Sequence, residues 1–159
     1  MPPGLWLLNW FCQHVLEING NIPWNVHFTS RVQGKITIGR NVWVSFAVSG
    51  GCYIQGGNGL EIGDDTIFAP GVTVVSANHD PADLSKWLPG PPVEIGKRCW
   101  IGAHATILPG VVLGDDVIVG AGAVVTRSFG PGSRIGGVPA RLLKMRPQNP
   151  HELPARGTV

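Results

Sequence analysis

Residues 95–125 place a branched aliphatic at every sixth position: Ile95, Ile101, Ile107, Leu113, Val119 and Val125. A period of six matches neither the 3.6 of an α-helix nor the simple alternation of a half-buried strand. Gly96, Gly102, Gly114 and Gly120 follow four of the first five aliphatics, and Cys99, Ala105, Val111, Val117 and Ala123 stand four residues after each of those five. Such a repeat is satisfied by coiling: three six-residue sides close a triangle of about eighteen residues. The aliphatic points inward and stacks on its counterpart one coil away. The smaller residue also points inward, where the triangle is narrow. Glycine eases the corner because it tolerates positive φ. Coils then lie about 4.8 Å apart, and several must stack because one coil cannot bury its own apolar side.

The same count extends back through Val26, Val32, Ile38 and Val44, lapses at Gly50 and Gly56, and returns in phase at Ile62, Phe68 and Val74. Because phase is kept, residues 49–59 are expected to form a distorted coil. The prediction is an all-β chain, a parallel β-helix of about five coils. The next aliphatic is due at position 80 and arrives at Ile95, so residues 80–94 are expected to leave the coil as a loop. It contains Pro81, Pro89, Pro91, Pro92 and Trp87, and an extrusion of this length points to function. Residues 5–18 are expected to form a short helix, with Leu5, Leu8, Cys12 and Val15 on one face and Trp6 and Trp10 on another. It would cap the open end of the stack. Residues 1–25 are then a cap segment, 26–145 the coil domain and 146–159 a flexible tail. Within the coil domain, 133–141 is expected as an extended exit strand and 142–145 as a helical turn.

The 159 residues fit one domain, and a net charge of +2 offers no field for nucleic acid. Charged residues are only 14%, which favours burial of surface between copies of the chain. Cys12, Cys52 and Cys99 are odd in number and fit no metal spacing, so they are read as free thiols of a reducing, cytoplasmic compartment. No metal is expected. Residues 5–11 are apolar but lack the basic flank and cleavage site of a signal peptide. The helix lacks a lysine- or arginine-rich polar face, so membrane association is not expected.

The hexads, the loop entered through Ser76-Ala77-Asn78-His79-Asp80, and the closing Gly136-Gly137-Val138-Pro139-Ala140-Arg141 resemble the hexapeptide-repeat acyltransferases. Among these the chain is most similar to the galactoside, maltose and capsule-sugar O-acetyltransferases. The resemblance covers about residues 26–144. It implies a left-handed parallel β-helix and a homotrimer with active sites in the clefts between prisms. It further implies acetyl transfer from acetyl-CoA to a sugar hydroxyl, directly and without an acyl-enzyme. His79 would be the general base, a task suited to an imidazole because a sugar hydroxyl must lose its proton as it attacks the thioester. Thr126 and Arg127 match the pair that contacts the coenzyme, Arg141 and Lys144 match basic positions after the exit motif, and Ala103 and Ala121 match positions where the pantetheine arm lies. Residues 117–151 carry no acid, while Arg127, Arg134, Arg141, Lys144 and Arg146 fall there, a one-signed run suited to phosphates. Ser45, Asp80 and Trp87 are candidates for contacting the acceptor. Ser45 stands where the galactoside enzymes have asparagine, and residues 51–56 lack their acidic pair, so the acceptor site departs from theirs. A non-catalytic scaffold, an N-acetyltransferase acting on an amino sugar and a three-histidine zinc carbonic anhydrase are the competing readings.

Overall fold

The computed structural model describes residues 1–145; the predicted tail, 146–159, lies outside them. Helix α1 (Pro3–His14) is followed by β1 (Arg31–Ile38), the short helix α2 (Trp43–Val48), β2 (Tyr53–Ile62), β3 (Ile67–Phe68) and β4 (Thr73–Val75). A hairpin of β5 (His79–Asp80) and β6 (Asp83–Trp87) precedes β7 (Val93–Ile95), β8 (Trp100–Ile101), β9 (Thr106–Ile107), β10 (Val112–Leu113), β11 (Ile118–Val119) and β12 (Val124–Val125). The described chain ends with β13 (Ser133–Gly136) and β14 (Arg141–Met145).

The short strands pair in parallel, in three columns. Ile38, Ile62, Ile95 and Leu113 stack in the first, Phe68, Ile101, Val119 and Ile135 in the second, and Val32, Ile54, Val74, Ile107 and Val125 in the third. Ile95 pairs with Leu113, Ile101 with Val119 and Ile107 with Val125, each an offset of 18. Ile62 pairs with Ile95, Phe68 with Ile101 and Val74 with Ile107, each an offset of 33, fifteen more than 18. The inward small positions Cys99, Ala105, Val111, Val117 and Ala123 are all buried and join the aliphatics in one core.

Three edges join the columns. At the first, Asn41, Asp65, Arg98 and Asp116 all take positive φ, and Asp64 and Asp115 accept the backbone N–H of Arg40 and Lys97 in the neighbouring coil. At the second, Gly71 (φ 73) accommodates the ring of His104 from the next coil; a side chain at Gly71 would collide with that imidazole. The third edge carries residues 76–78, 108–110 and 126–128.

Several expectations need correction. Val44 is not an inward residue: α2 replaces the strand there, burying Val42, Phe46 and Ala47 and leaving Val44 exposed. Residues 49–59, by contrast, form the distorted coil expected of them: they contain much of β2, which carries two more residues than β1 between the pairs Gly34–Gly56 and Ile36–Leu60. The extruded segment is not structureless, and it closes by Val93, which already pairs with Leu60. The expected exit strand stops at Gly136. The chain reverses through residues 137–140, and β14 returns antiparallel to β13 instead of forming a helical turn.

Helix α1 is shorter than expected and rolled, so that Cys12 of the expected face stays buried but Asn9 and Gln13 go in with it. Its buried residues are Asn9, Cys12 and Gln13, while Leu8 and Val15 are exposed. The reason is the unpaired backbone at the end of the stack. Asn9 Nδ2 donates to Ala47 O (2.9 Å) and Asn9 Oδ1 accepts from Phe28 N (3.1 Å). Gln13 Nε2 donates to Trp24 O (3.0 Å) and Gln13 Oε1 accepts from Val26 N (2.9 Å). No helix among the described residues is long and apolar enough to cross a membrane.

Candidate functional site

The hairpin rises from the third edge, and polar groups of β2 fix both of its ends. Gln55 is buried; its Oε1 accepts from Ser76 N (3.0 Å) and Ala77 N (3.1 Å) where the chain leaves the coil. Ser76 Oγ accepts from Asn58 N (3.0 Å), and Asn58 Nδ2 donates to Leu88 O (3.0 Å) at the returning end. Leu88 N closes the base on Asn78 O at 2.8 Å. The Trp87 ring lies against Gly57, leaving no room for a side chain there. It meets the ring of His79 in a T-shaped arrangement, with centroids 6.3 Å apart and planes at 86°. His79 is exposed and stands at the hairpin base, beside the coil surface.

The acids of the loop serve the hairpin itself. Asp80 Oδ1 accepts from Ala82 N (2.8 Å) in the turn. Asp83 accepts from Ser85 Oγ (2.6 Å) and Lys86 Nζ (2.9 Å), which hold its carboxyl below the usual carboxylate range. Glu94 is exposed on β7, where it pairs in register with Glu61. Ser45 lies elsewhere: it is buried in α2, and its Oγ accepts from Phe68 N (3.2 Å) inside the coil.

The coenzyme candidates fall on two edges and one outer strand. Thr126 and Arg127 are exposed on the third edge, the same edge as His79 and two coils further on, about 10 Å along the axis. The Arg127 guanidinium lies 5.2 Å above the Phe129 ring centroid. Ala103 and Ala121 lie on the second edge, where Gly122 N donates to Ala103 O (2.8 Å). Arg141 and Lys144 are exposed on β14. Arg134 stands opposite Lys144 in register, and its buried Nε has no hydrogen-bond partner. Like charges set opposite each other on paired strands repel, so this pair is ready for an anion. A single chain therefore brings together His79, Trp87 and Asp80, and keeps Ala103 and Ala121 on a different edge. Among the described residues no three histidine, cysteine or acidic side chains converge as a metal site.

Sequence reasoning missed Gln55, Asn58 and Gly57, and read Ser76 only as the start of the segment that enters the loop. Their signal was the lapse at Gly56: the glycines that interrupt the hexads lie one coil above the residues that lead into the loop.

The family model described as the hexapeptide repeat of succinyl-transferase matches residues 92–127. A putative lipopolysaccharide biosynthesis O-acetyl transferase, WbbJ, of Escherichia coli (strain K12) is 33% identical over 147 residues, covering 79% of this chain and 72% of that protein. The chain belongs to the hexapeptide-repeat acyltransferase family. A second relative, the galactoside O-acetyltransferase of the same organism, is 35% identical over 69% of this chain. The chain spans only 54% of that enzyme's length. Among solved structures, AntD is similar at TM-score 0.63 and 27% identity, over 78% of this chain and 70% of its own. AntD is an N-acyltransferase from Bacillus cereus, solved as a point mutant with dTDP-4-amino-4,6-dideoxyglucose and coenzyme A. In this family member, the columns at offset 18 correspond to the matched repeat.

Proposed function

We propose that this hexapeptide-repeat protein is an acetyl-CoA-dependent O-acetyltransferase acting on a sugar or polysaccharide-precursor hydroxyl, working as a homotrimer of left-handed β-helices of about five coils. The observation that carries the reading is the hairpin tied at both ends to β2. It holds the exposed imidazole of His79 on the edge that also bears Thr126 and Arg127. His79 takes the proton of the acceptor hydroxyl as its oxygen attacks the thioester carbonyl. The carbon–sulfur bond breaks, and the imidazolium returns the proton to the leaving thiolate, giving an acetyl ester and free coenzyme thiol. Because the thioester is already activated, no acyl-enzyme is needed.

The trimer is supported by two features. The outward residues of the second column form an apolar ladder, Ile67, Trp100 and Ile118 in register, with Ile67 and Trp100 54% and 52% exposed. The division of Ala103 and Ala121 from Thr126 and Arg127 fits a coenzyme lying between two copies, each contributing one edge. Arg141 and Lys144, with Arg134 beside them, supply the charge for its phosphates. Trp87 and Asp80 remain the residues on the hairpin best placed to meet an acceptor. Ser45, buried and engaged, is not retained.

The AntD likeness favours one second reading, acyl transfer to the amine of an amino sugar, which would use the same base and the same coenzyme groove. Both readings are tested by His79→Ala. Transfer, followed as free thiol released from acetyl-CoA across a panel of sugar and amino-sugar acceptors, is expected to fall about 10²–10⁴-fold while calorimetric binding of coenzyme A persists. Retained transfer overturns the assignment of the base, and absence of coenzyme binding in the unaltered protein overturns the enzyme reading in favour of a scaffold.

A further inference from the structure

Gly71, His104 and Gly122 occupy one position of the second edge in three successive coils, in step with the strand pairs Val74–Ile107 and Ile107–Val125. All three take positive φ, 73, 56 and 68 in turn. That backbone is open to glycine and strained for a residue with a Cβ. Two coils meet the demand with glycine, and the middle one carries a histidine instead. The His104 imidazole is exposed, and among the described residues it makes no hydrogen bond. It is nevertheless held in place: the ring is laid back over Gly71, with Nδ1 and Cε1 nearest that glycine and Nε2 beyond them. A strained backbone that carries a fixed imidazole with both nitrogens unengaged points to work outside its own chain.

We propose that His104 completes the active site of the neighbouring copy, where its Nε2–H donates to the thioester carbonyl oxygen opposite His79, an inference that rests on the trimer and the base proposed above. Height decides the pairing. The Ile67–Trp100–Ile118 ladder runs along three coils of one side, and it is covered along its length when neighbouring prisms lie side by side and parallel. A three-fold axis along the prisms then keeps each coil at one height in all three copies. Gly71 and His79 flank β4 on a single coil. His104 belongs to the next coil, about 4.8 Å further on, but its ring reaches back to Gly71. It therefore comes level with His79 of the copy whose third edge faces this second edge. Within one chain the third column, β4 and β9, stands between the two rings.

The two imidazoles do different work. His79 stands on the edge with the hairpin and takes the proton of the acceptor hydroxyl. His104 adjoins Ala103, on the edge assigned to the coenzyme's arm, and the reacting carbonyl lies between the edges. As the acceptor oxygen bonds to the carbonyl carbon, the π pair moves onto the carbonyl oxygen, and Nε2–H of the partner's His104 meets that negative charge. When the pair returns, the carbon–sulfur bond breaks and the thiolate leaves. His104 neither gains nor loses a proton.

The test compares the unaltered full chain with His104→Gly, with His79→Ala, and with mixed trimers co-expressed from the two variants and purified through a different tag on each. Glycine already fills this position in the coils before and after, so His104→Gly is expected to hold or raise Tm. Its kcat, read as free thiol released with the acceptor that the screen identifies, is expected to fall about 10²–10³-fold, as on loss of an oxyanion donor. KM and the calorimetric affinity for coenzyme A are expected to hold, because the lost bond forms only in the transition state. Each mixed trimer sets an intact His79 against an intact His104 at one interface of its three, so it is expected to recover about one third of the unaltered rate. Full kcat in His104→Gly overturns the inference and leaves His79 as the base. Two inactive variants without recovery in the mixed trimers overturn the two-chain site. A chain that sediments as a monomer overturns it together with the trimer. Retained transfer in His79→Ala strikes the base alone, since kcat of His104→Gly still decides the role of His104.

Discussion

Gly57→Ala tests whether the hairpin positions His79 through the Trp87 ring. A Cβ at position 57 would overlap that ring and would lie 2.8 Å from Ala77 Cβ. Ala77 is 4% exposed and belongs to the coil, so it cannot yield without moving backbone. Trp87 is 43% exposed, so the indole is the group that moves. Overpacking of a rigid site costs about 1–3 kcal/mol. Because an exposed ring can swing outward with its hairpin, the cost should fall near 1 kcal/mol, lowering Tm by about 2–4 °C. The catalytic cost should be larger. The hairpin base is His79 itself, and displacement of a reacting group by about 1 Å costs about 10²-fold in rate. The assay pairs kcat, by free-thiol release with the acceptor that the screen identifies, with coenzyme binding by calorimetry and with the tryptophan emission spectrum. The expected outcome is kcat down about 100-fold, coenzyme affinity unchanged and a shifted spectrum. A variant with shifted emission and full kcat would refute the link between the ring and the imidazole, and unchanged emission would refute the packing itself.

Gln55→Leu should act through the other anchor. It leaves Ala77 N without its acceptor and Ser76 N with only the Gln55 backbone carbonyl, a loss of about 1–3 kcal/mol that thermal unfolding would register as a drop of about 2–12 °C, with kcat reduced and coenzyme binding intact. Burial pushes the Cys52 and Cys99 thiols up, against the weaker opposing pull of their hydrogen bonds. Both states are protonated at neutral pH. Above about 8.5, the ordinary thiol value, the unfolded chain ionises first, so stability should decline as pH climbs through the raised folded values. Denaturant midpoints at increasing pH should fall for the unaltered protein and fall less for Cys52→Ser with Cys99→Ser; equal slopes would exclude the thiols as the cause.

The hexads determined the inward residues of the later coils, because a position's depth in a repeating triangle depends only on its phase. Ile95, Ile101, Ile107, Leu113, Val119 and Val125, together with the small residues between them, are all buried as that phase requires. Phase also announced that a segment leaves the coil after Val74. It carried no information on what one coil does to the next. The pairing of Gln55 and Asn58 with a hairpin some twenty to thirty residues later exists only because coil closure lays those residues side by side. The roll of α1 that buries Asn9 and Gln13 was equally invisible. An apolar stripe is expected to face inward, and here the end of the stack presents bare N–H and C=O groups. These drew Asn9 and Gln13 down and left the tryptophans outside. Local period decides what a repeating coil buries; at its two irregularities, the glycine lapse and the open end, the unpaired backbone decided instead, and that is set by tertiary closure alone.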